Sequence, residues 1–137
     1  MTTASSGGPG PGPTRRVLVV DDDDLLREVA KAALELVGGW QVTTSQSGAE
    51  AHTRAVASPP DAILLDVMMP GLDGPATVAA LAGHDATRDI PIIFLTAKRS
   101  GEDFSTWQDL GLAGVIAKPF DPMTLAHEMA DLLGWET

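Results

Sequence analysis

From residue 15 onward the chain alternates short β-branched runs with amphipathic stretches, and the alternation repeats five times. The first run, Val17-Leu18-Val19-Val20, is apolar throughout. Such a run predicts a parallel strand covered by helices on both faces, because a half-exposed strand would alternate. Leu26, Val29, Ala30, Ala33, Leu34 and Val37 then recur at helical spacing, and Gly38-Gly39 supplies a left-handed stop. A more polar second strand is predicted over 40–44. Ser47 with Glu50 three residues later is a capping-box pattern that opens a second helix, and Pro59-Pro60 ends the connection after it. Ala62-Ile63-Leu64-Leu65 is a third strand, followed by a turn rich in Pro and Gly and a short helix over about 74–81. Ile92-Ile93-Phe94-Leu95 makes a fourth strand, a less apolar helix is predicted over about 101–110, and Gly114 to Ala117 makes a fifth strand. Asp121 is placed to cap, and Pro122 to fill the first turn of, a last helix ending at Leu133.

Five strands alternating with five helices predict an α/β fold with a doubly wound, five-stranded parallel sheet, since right-handed crossovers put helices on both sides. The flavodoxin-like strand order 2-1-3-4-5 suits the length of 137 residues, which is one domain's worth. Residues 1–14, with their Gly/Pro run, read as a disordered tail, and 15–137 as the single domain. Only four residues follow Leu133, so a stand-alone module with no fused effector is expected.

Composition removes several function classes. A net charge of −10 repels phosphate backbones and anionic membranes, which disfavours direct nucleic-acid binding. The absence of cysteine excludes a disulfide framework, a thiolate zinc site and a cysteine nucleophile. Apolar runs are too short to insert in a membrane and no signal-peptide core is present, so a cytoplasmic protein is expected.

In an open parallel sheet, functional groups collect at the carboxyl edge, where the loops diverge and leave a crevice. Here that edge carries Asp21-Asp22, Asp66, Thr96 and Lys118. Packed acids repel one another unless a cation compensates, and an oxygen-only ligand set matches Mg²⁺. Lys118 is better explained as the partner of an incoming anion, or of Asp66 when that anion is absent. Metal, lysine, hydroxyl and a carboxylate nucleophile together describe a place where a phosphoryl group is received. Asp23 and Asp24 extend the acidic run but suit the start of the first helix, where carboxylates complement the dipole. His52, His84 and His127 are dispersed and read as surface residues, and Trp40 and Trp135 as packing anchors.

Four separated segments, Val19-Val20-Asp21-Asp22, Leu65 to Gly74 with Asp66 near its start, Leu95-Thr96-Ala97 and Ala117-Lys118-Pro119-Phe120, resemble the receiver domain of two-component response regulators, in that order and over about residues 16–133. The resemblance implies that Asp66 accepts a phosphoryl group from a histidine kinase or phosphotransfer protein. It implies that Asp22 and Asp66 ligate Mg²⁺ directly, Asp21 mainly through water, and the Met68 backbone carbonyl completes the protein ligands. Thr96 and Lys118 are implied to contact phosphoryl oxygens, and Pro119 to follow a cis peptide bond. The output is implied to be binding of a downstream protein to the face of the fourth helix, fifth strand and fifth helix, by a monomer or weak dimer. Such a module phosphorylates and dephosphorylates itself and is not a conventional turnover enzyme.

The chain departs from the family's pattern at Val115, three residues before the lysine, where Tyr or Phe is common. Trp107 or Phe104 then stands as a substitute for that aromatic switch or simply as core. Met68 either shields the phosphate from water or serves packing alone, and Lys98 either meets a partner or is solvated. Two other functions compete: a receiver-like scaffold indifferent to phosphorylation, and an aspartate-nucleophile phosphatase. The latter needs a second acid two residues beyond its nucleophile, where this chain has Met68.

Overall fold

The computed structural model describes residues 14–97 and 107–135 of the chain. The continuous apolar runs become strands β1 (Arg16–Val20), β3 (Ala62–Asp66) and β4 (Ile92–Thr96), with the more polar β2 (Gln41–Ser45) and β5 (Gly114–Ala117) at the two edges. All pairings are parallel and the order is β2-β1-β3-β4-β5, the predicted 2-1-3-4-5 arrangement.

Successive residues of a strand point to opposite faces, and the core divides accordingly. Val17, Val19, Leu64, Ile93 and Leu95 pack with Leu34 and Met129 on one side. Leu18, Val20, Ile63, Leu65 and Phe94 pack with Ala51 and Leu81 on the other. The helices responsible are α1 (Asp24–Gly38) and α4 (Leu125–Leu133) on the first face, and α2 (Gly48–Ala57) and α3 (Gly74–Ala82) on the second. With both faces covered, a central strand has no reason to alternate.

Local signals account for the helix boundaries. Asp23 is the N-cap of α1, its carboxylate accepting from Leu25 N and Leu26 N, and Gly39 ends the helix at φ 70°. Ser47 Oγ accepts from Glu50 N at 3.1 Å, while Glu50 Oε1 accepts from Gln46 N at 3.2 Å, so the reciprocal bond falls one residue before the cap. Asp73 caps α3 through Ala76 N at 3.0 Å.

Three expectations need adjustment. The second strand runs one residue later than predicted, because buried Trp40 is used to pack edge-on against Trp135, ring centroids 5.1 Å apart. Asp121 caps a preceding turn through Met123 N at 2.8 Å rather than α4 itself, whose N-cap, Thr124, makes no side-chain capping bond. Of the five predicted helices, the described residues contain four α-helices. Most of the predicted fourth helix, with Phe104 and Lys98, lies outside the described residues; within them is a 3-10 turn, Gln108–Leu110, ended by Gly111 at φ 71°. The Gly/Pro tail over 1–13 also lies outside them.

Gly48, the first residue of α2, packs closely against α3 and the loop before it. A Cβ built there would stand 2.1 Å from Thr77 Oγ1 and 2.6 Å from the Leu72 carbonyl oxygen. The backbone cannot retreat without moving the loop between β3 and α3. Gly48→Ala is expected to destabilise the fold by about 1–3 kcal/mol, as overpacking does, read from the shift of the urea unfolding midpoint. An unchanged midpoint would show that this loop yields freely.

Candidate functional site

The register aligns the strand ends. Val20 pairs with Ser45 and Leu65, Asp66 with Leu95, and Thr96 with Ala117, so the residues just past each strand emerge on one rim. Bonds continue the ladder one step beyond: Asp21 N donates to Ser45 O at 3.1 Å, Val67 N to Leu95 O at 3.2 Å and Lys118 N to Thr96 O at 2.8 Å. Asp21, Asp66 and Lys118 are therefore held by strand geometry rather than by free loops.

Asp21, Asp22 and Asp66 each offer a carboxylate oxygen, and these oxygens lie within 4.8 Å of one another. Asp21 and Asp66 are buried, Asp22 exposed. Lys118 Nζ sits 3.1 Å from Asp21 Oδ2 and 3.2 Å from Asp66 Oδ1. Thr96 is fully buried at the end of β4. All five predicted side chains thus belong to the carboxyl edge, with the three acids clustered and the lysine against Asp21 and Asp66.

Burial raises the pKa of Asp66, the charge of Asp21 raises it further, and Lys118 and the Met68 N–H only partly offset this. For Lys118, burial favours the neutral amine, but the adjoining carboxylates of Asp21, then Asp66, outweigh it and the net shift is upward. The charged ammonium of Lys118 is thus favoured, while burial and the neighbouring Asp21 charge disfavour the ionised form of Asp66.

The donor set fits a hard divalent cation. Asp21 Oδ2 is buried with no aligned hydrogen-bond donor, having only the lysine's charge beside it. Three carboxylate oxygens against one ammonium leave net negative charge at the rim, and oxygen-only ligation at this count suits Mg²⁺. Asp23 and Asp24 do not join the cluster; they are occupied at the start of α1 as N-cap and as partner of Arg27.

Two features were only partly legible in the sequence. Arg27 reaches the rim, Nη1 donating to the Asp21 carbonyl oxygen at 2.6 Å while Nη2 pairs with Asp24. The i, i+3 spacing of Asp24 and Arg27 hinted at the pair, whereas a bond to a backbone carbonyl leaves no trace in side-chain identity. Met68 is 66% exposed beside the acceptor-position carboxylate, and its N–H donates to Asp66 Oδ1 at 3.3 Å, so packing alone does not explain it. Trp107 is buried against Phe94, ring centroids 5.1 Å apart, as a core residue, and half-buried Val115 packs on the same cluster. The Lys118-Pro119 bond is cis. His84 and His127 are exposed, and half-buried His52 stands edge-on to His84.

Comparison with known proteins agrees with this geometry. Residues 17–130 match the model of the response regulator receiver domain. Among curated relatives, the phosphate regulon transcriptional regulatory protein PhoB of Pseudomonas aeruginosa is 35% identical over 119 residues, covering 87% of this chain and 52% of the relative. The transcriptional regulatory protein PrrA of Mycobacterium tuberculosis is 41% identical over 118 residues, covering 86% and 49%. The chain thus spans about half the length of the curated relatives it matches. Among solved structures, the chemotaxis response regulator CheY4 of Vibrio cholerae superposes with TM-score 0.81 at 31% identity, covering 88% of this chain and 99% of that one. The receiver domain of sensor histidine kinase PA1611 of Pseudomonas aeruginosa, which has a magnesium ion coordinated in its active site cleft, gives 0.78 at 30% identity, covering 89% and 99%. No helix among the described residues is long and apolar enough to cross a membrane.

The raised pKa of Asp66 fixes the sign of a pH effect. Its folded form binds a proton more readily than the unfolded chain does, so its contribution to stability is present at low pH and lost as pH rises through the folded value. In chelator, Asp66→Asn is expected to be at least as stable as the wild type at neutral pH, with the difference shrinking toward acid. Urea unfolding of both proteins at the two pH values measures it. A less stable Asn variant at neutral pH would mean that pairing with Lys118 outweighs burial.

Proposed function

The chain belongs to the response regulator receiver domain family, and on that premise we propose that it is a phosphoryl-accepting module of two-component signalling with Asp66 as the acceptor. The observation that carries the reading is the convergence of Asp21, Asp22 and Asp66 on one rim with Lys118 Nζ 3.2 Å from Asp66 Oδ1. The donor is the phosphohistidine of a histidine kinase or phosphotransfer protein. A carboxylate oxygen of Asp66 forms the new O–P bond as the P–N bond breaks, and the imidazole nitrogen leaves with the electron pair and takes a proton. Asp22, Asp66 and the Met68 carbonyl would hold Mg²⁺, with Asp21 acting mainly through water. When bound, the ion supplies positive charge for the oxygens of the transferring group.

The remaining work falls to the protein's own groups. Before transfer, Lys118 is pinned between Asp21 and Asp66. Once Asp66 is esterified, roughly −1.5 to −2 charges arrive on the phosphoryl oxygens and the ammonium turns to them. The Thr96 hydroxyl bonds another oxygen by moving inward. Because the Thr96 carbonyl already accepts the Lys118 N–H at 2.8 Å, that movement pulls on the loop carrying the lysine. The output is an altered protein-binding face that includes β5 and α4, and the module acts as a switch rather than as a turnover enzyme in the cytoplasm.

A scaffold that ignores phosphate is the second reading, favoured by Val115 in place of an aromatic residue. Phosphatase chemistry has less support, since Met68 offers neither acid nor base. Asp66→Asn is expected to abolish Mg²⁺-dependent labelling by an acyl phosphate and by a cognate kinase. Acid-labile, hydroxylamine-sensitive phosphate persisting on that variant would refute the assignment, and wild-type partner capture indifferent to labelling would favour the scaffold.

Met68 stands exposed beside the acceptor, where its apolar side chain obstructs an attacking water. Replacing it by Glu or Asn should shorten the lifetime of the aspartyl phosphate, followed as loss of label after removal of the donor. Equal lifetimes would leave Met68 without a protective role.

A further inference from the structure

Of the three carboxylates on the rim, Asp22 is the one the fold holds least directly. Asp21 and Asp66 are buried, and Lys118 lies against both. The Asp22 side chain is exposed, and among the described residues no hydrogen bond or ion pair fixes its carboxylate. Its oxygen nonetheless lies within 4.8 Å of those of Asp21 and Asp66, so the backbone must aim it there. The peptide joining Asp21 to Asp22 is planar, and the Asp21 carbonyl, the Asp22 N–H and the Asp22 Cα turn as one unit. Asp21 N donates to Ser45 O at 3.1 Å before that unit, and Asp23 N donates to Asp21 Oδ1 at 2.9 Å after it. Neither bond reaches the connecting peptide itself. Arg27 does, its Nη1 donating to the Asp21 carbonyl oxygen at 2.6 Å.

The arginine is built for such a hold. Its side chain is 15% exposed, and Nη2 pairs with Asp24, so one tine of the planar fork is anchored while the other grips the carbonyl. Charge alone gives little reason for a cation here. Arg27 stands in the first turns of α1, where a positive charge opposes the helix dipole, and beside a rim suited to a divalent cation. Asp24 is 85% exposed, and an ion pair with so solvated a partner contributes little. The carbonyl bond accounts for what the charges do not.

We infer that Arg27 is a positioning residue for the metal site, holding the Asp21–Asp22 peptide so that the Asp22 carboxylate meets those of Asp21 and Asp66. The inference rests on the reading of the rim as a Mg²⁺ site, and gives Arg27 no contact with the ion or with the transferred group.

The test measures Mg²⁺ binding to the full, unphosphorylated, ¹⁵N-labelled chain through the amide resonances of Asp21, Asp22, Asp66 and Met68. Two uncharged replacements, Arg27→Met and Arg27→Gln, keep most of the aliphatic stem. Loss of a positive charge near the rim by itself tightens cation binding. Loss of the hold on the peptide loosens it, and binding about tenfold weaker is expected, as for other groups that orient a metal ligand. The two effects have opposite signs, so the direction of the change decides between them. Urea midpoints in chelator identify the variants that are folded before metal is added, and binding is read on those, so unfolding does not mimic the loss. Lys31→Met removes the same charge one turn further along α1, where the lysine holds Glu35 and the Val42 carbonyl, and should bind Mg²⁺ at least as tightly as the wild type. Unchanged or tighter binding in the Arg27 variants overturns the inference, as does an equal loss in Lys31→Met. A wild type whose rim resonances ignore Mg²⁺ sinks the metal reading and the inference with it, whereas wild-type binding that the Arg27 variants match sinks the inference alone.

Discussion

Two buried carboxylates share one ammonium, and the rest of the site derives from that shortage of positive charge. Lys118 Nζ stands 3.1 Å from Asp21 and 3.2 Å from Asp66, and Asp22 brings a third carboxylate to the same place. At such separations two unit charges interact by about 4 kcal/mol near a protein surface, whether they attract or repel. Repulsion among the acids is therefore of the same order as the lysine's attraction, and one ammonium cannot neutralise three carboxylates. The surplus explains the raised pKa of Asp66 and the receptiveness of the rim to a divalent ion.

Such an arrangement survives only if the fold prevents the like charges from moving apart. The parallel sheet does this by aligning its strand ends and by extending hydrogen bonding one step past them, at Asp21, Val67 and Lys118. Arg27 adds a clamp on the Asp21 carbonyl from the first turns of α1. The apolar layers beneath, where Phe94 and Leu65 are fully buried, supply the stability that offsets the cost of assembling the rim. Strain of electrostatic origin is thus concentrated at one edge of an otherwise well-packed sheet.

The features legible in the sequence and those hidden from it divide along physical lines. Fully buried parallel strands must be apolar throughout, so β1, β3 and β4 announced themselves, and the residues at their carboxyl ends identified Asp21, Asp66 and Thr96 as neighbours. The Ser47 cap and the place of Asp23 at the start of α1 were equally visible, because both act through local bonds to the next few N–H groups, whereas the Asp73 cap of α3 was not singled out. Arg27 was not, since its partner is a backbone carbonyl, and neither was the exposure of Met68, which depends on how the loop after β3 turns. The start of α4 was misjudged because Asp121 and Pro122 serve an intervening turn that reads like a helix entry.

The same segments join the site to α4 through the backbone in a chain with Val115 where a mobile ring is common. Val115 is half-buried, packs on the cluster that holds Phe94 and Trp107, and has no ring to rotate. A backbone route is available instead. Thr96 O holds Lys118 N, and Lys118 is three residues from Asp121. Asp121 in turn accepts through its side chain from Met123 N and through its carbonyl from Thr124 N and Leu125 N, the latter being the first residue of α4. A displacement of Thr96 would therefore reach the helix through consecutive peptide units and bonds near 3 Å. Rigid elements joined in this way shift together, and α4 would carry Glu128, Asp131 and Leu132 with it.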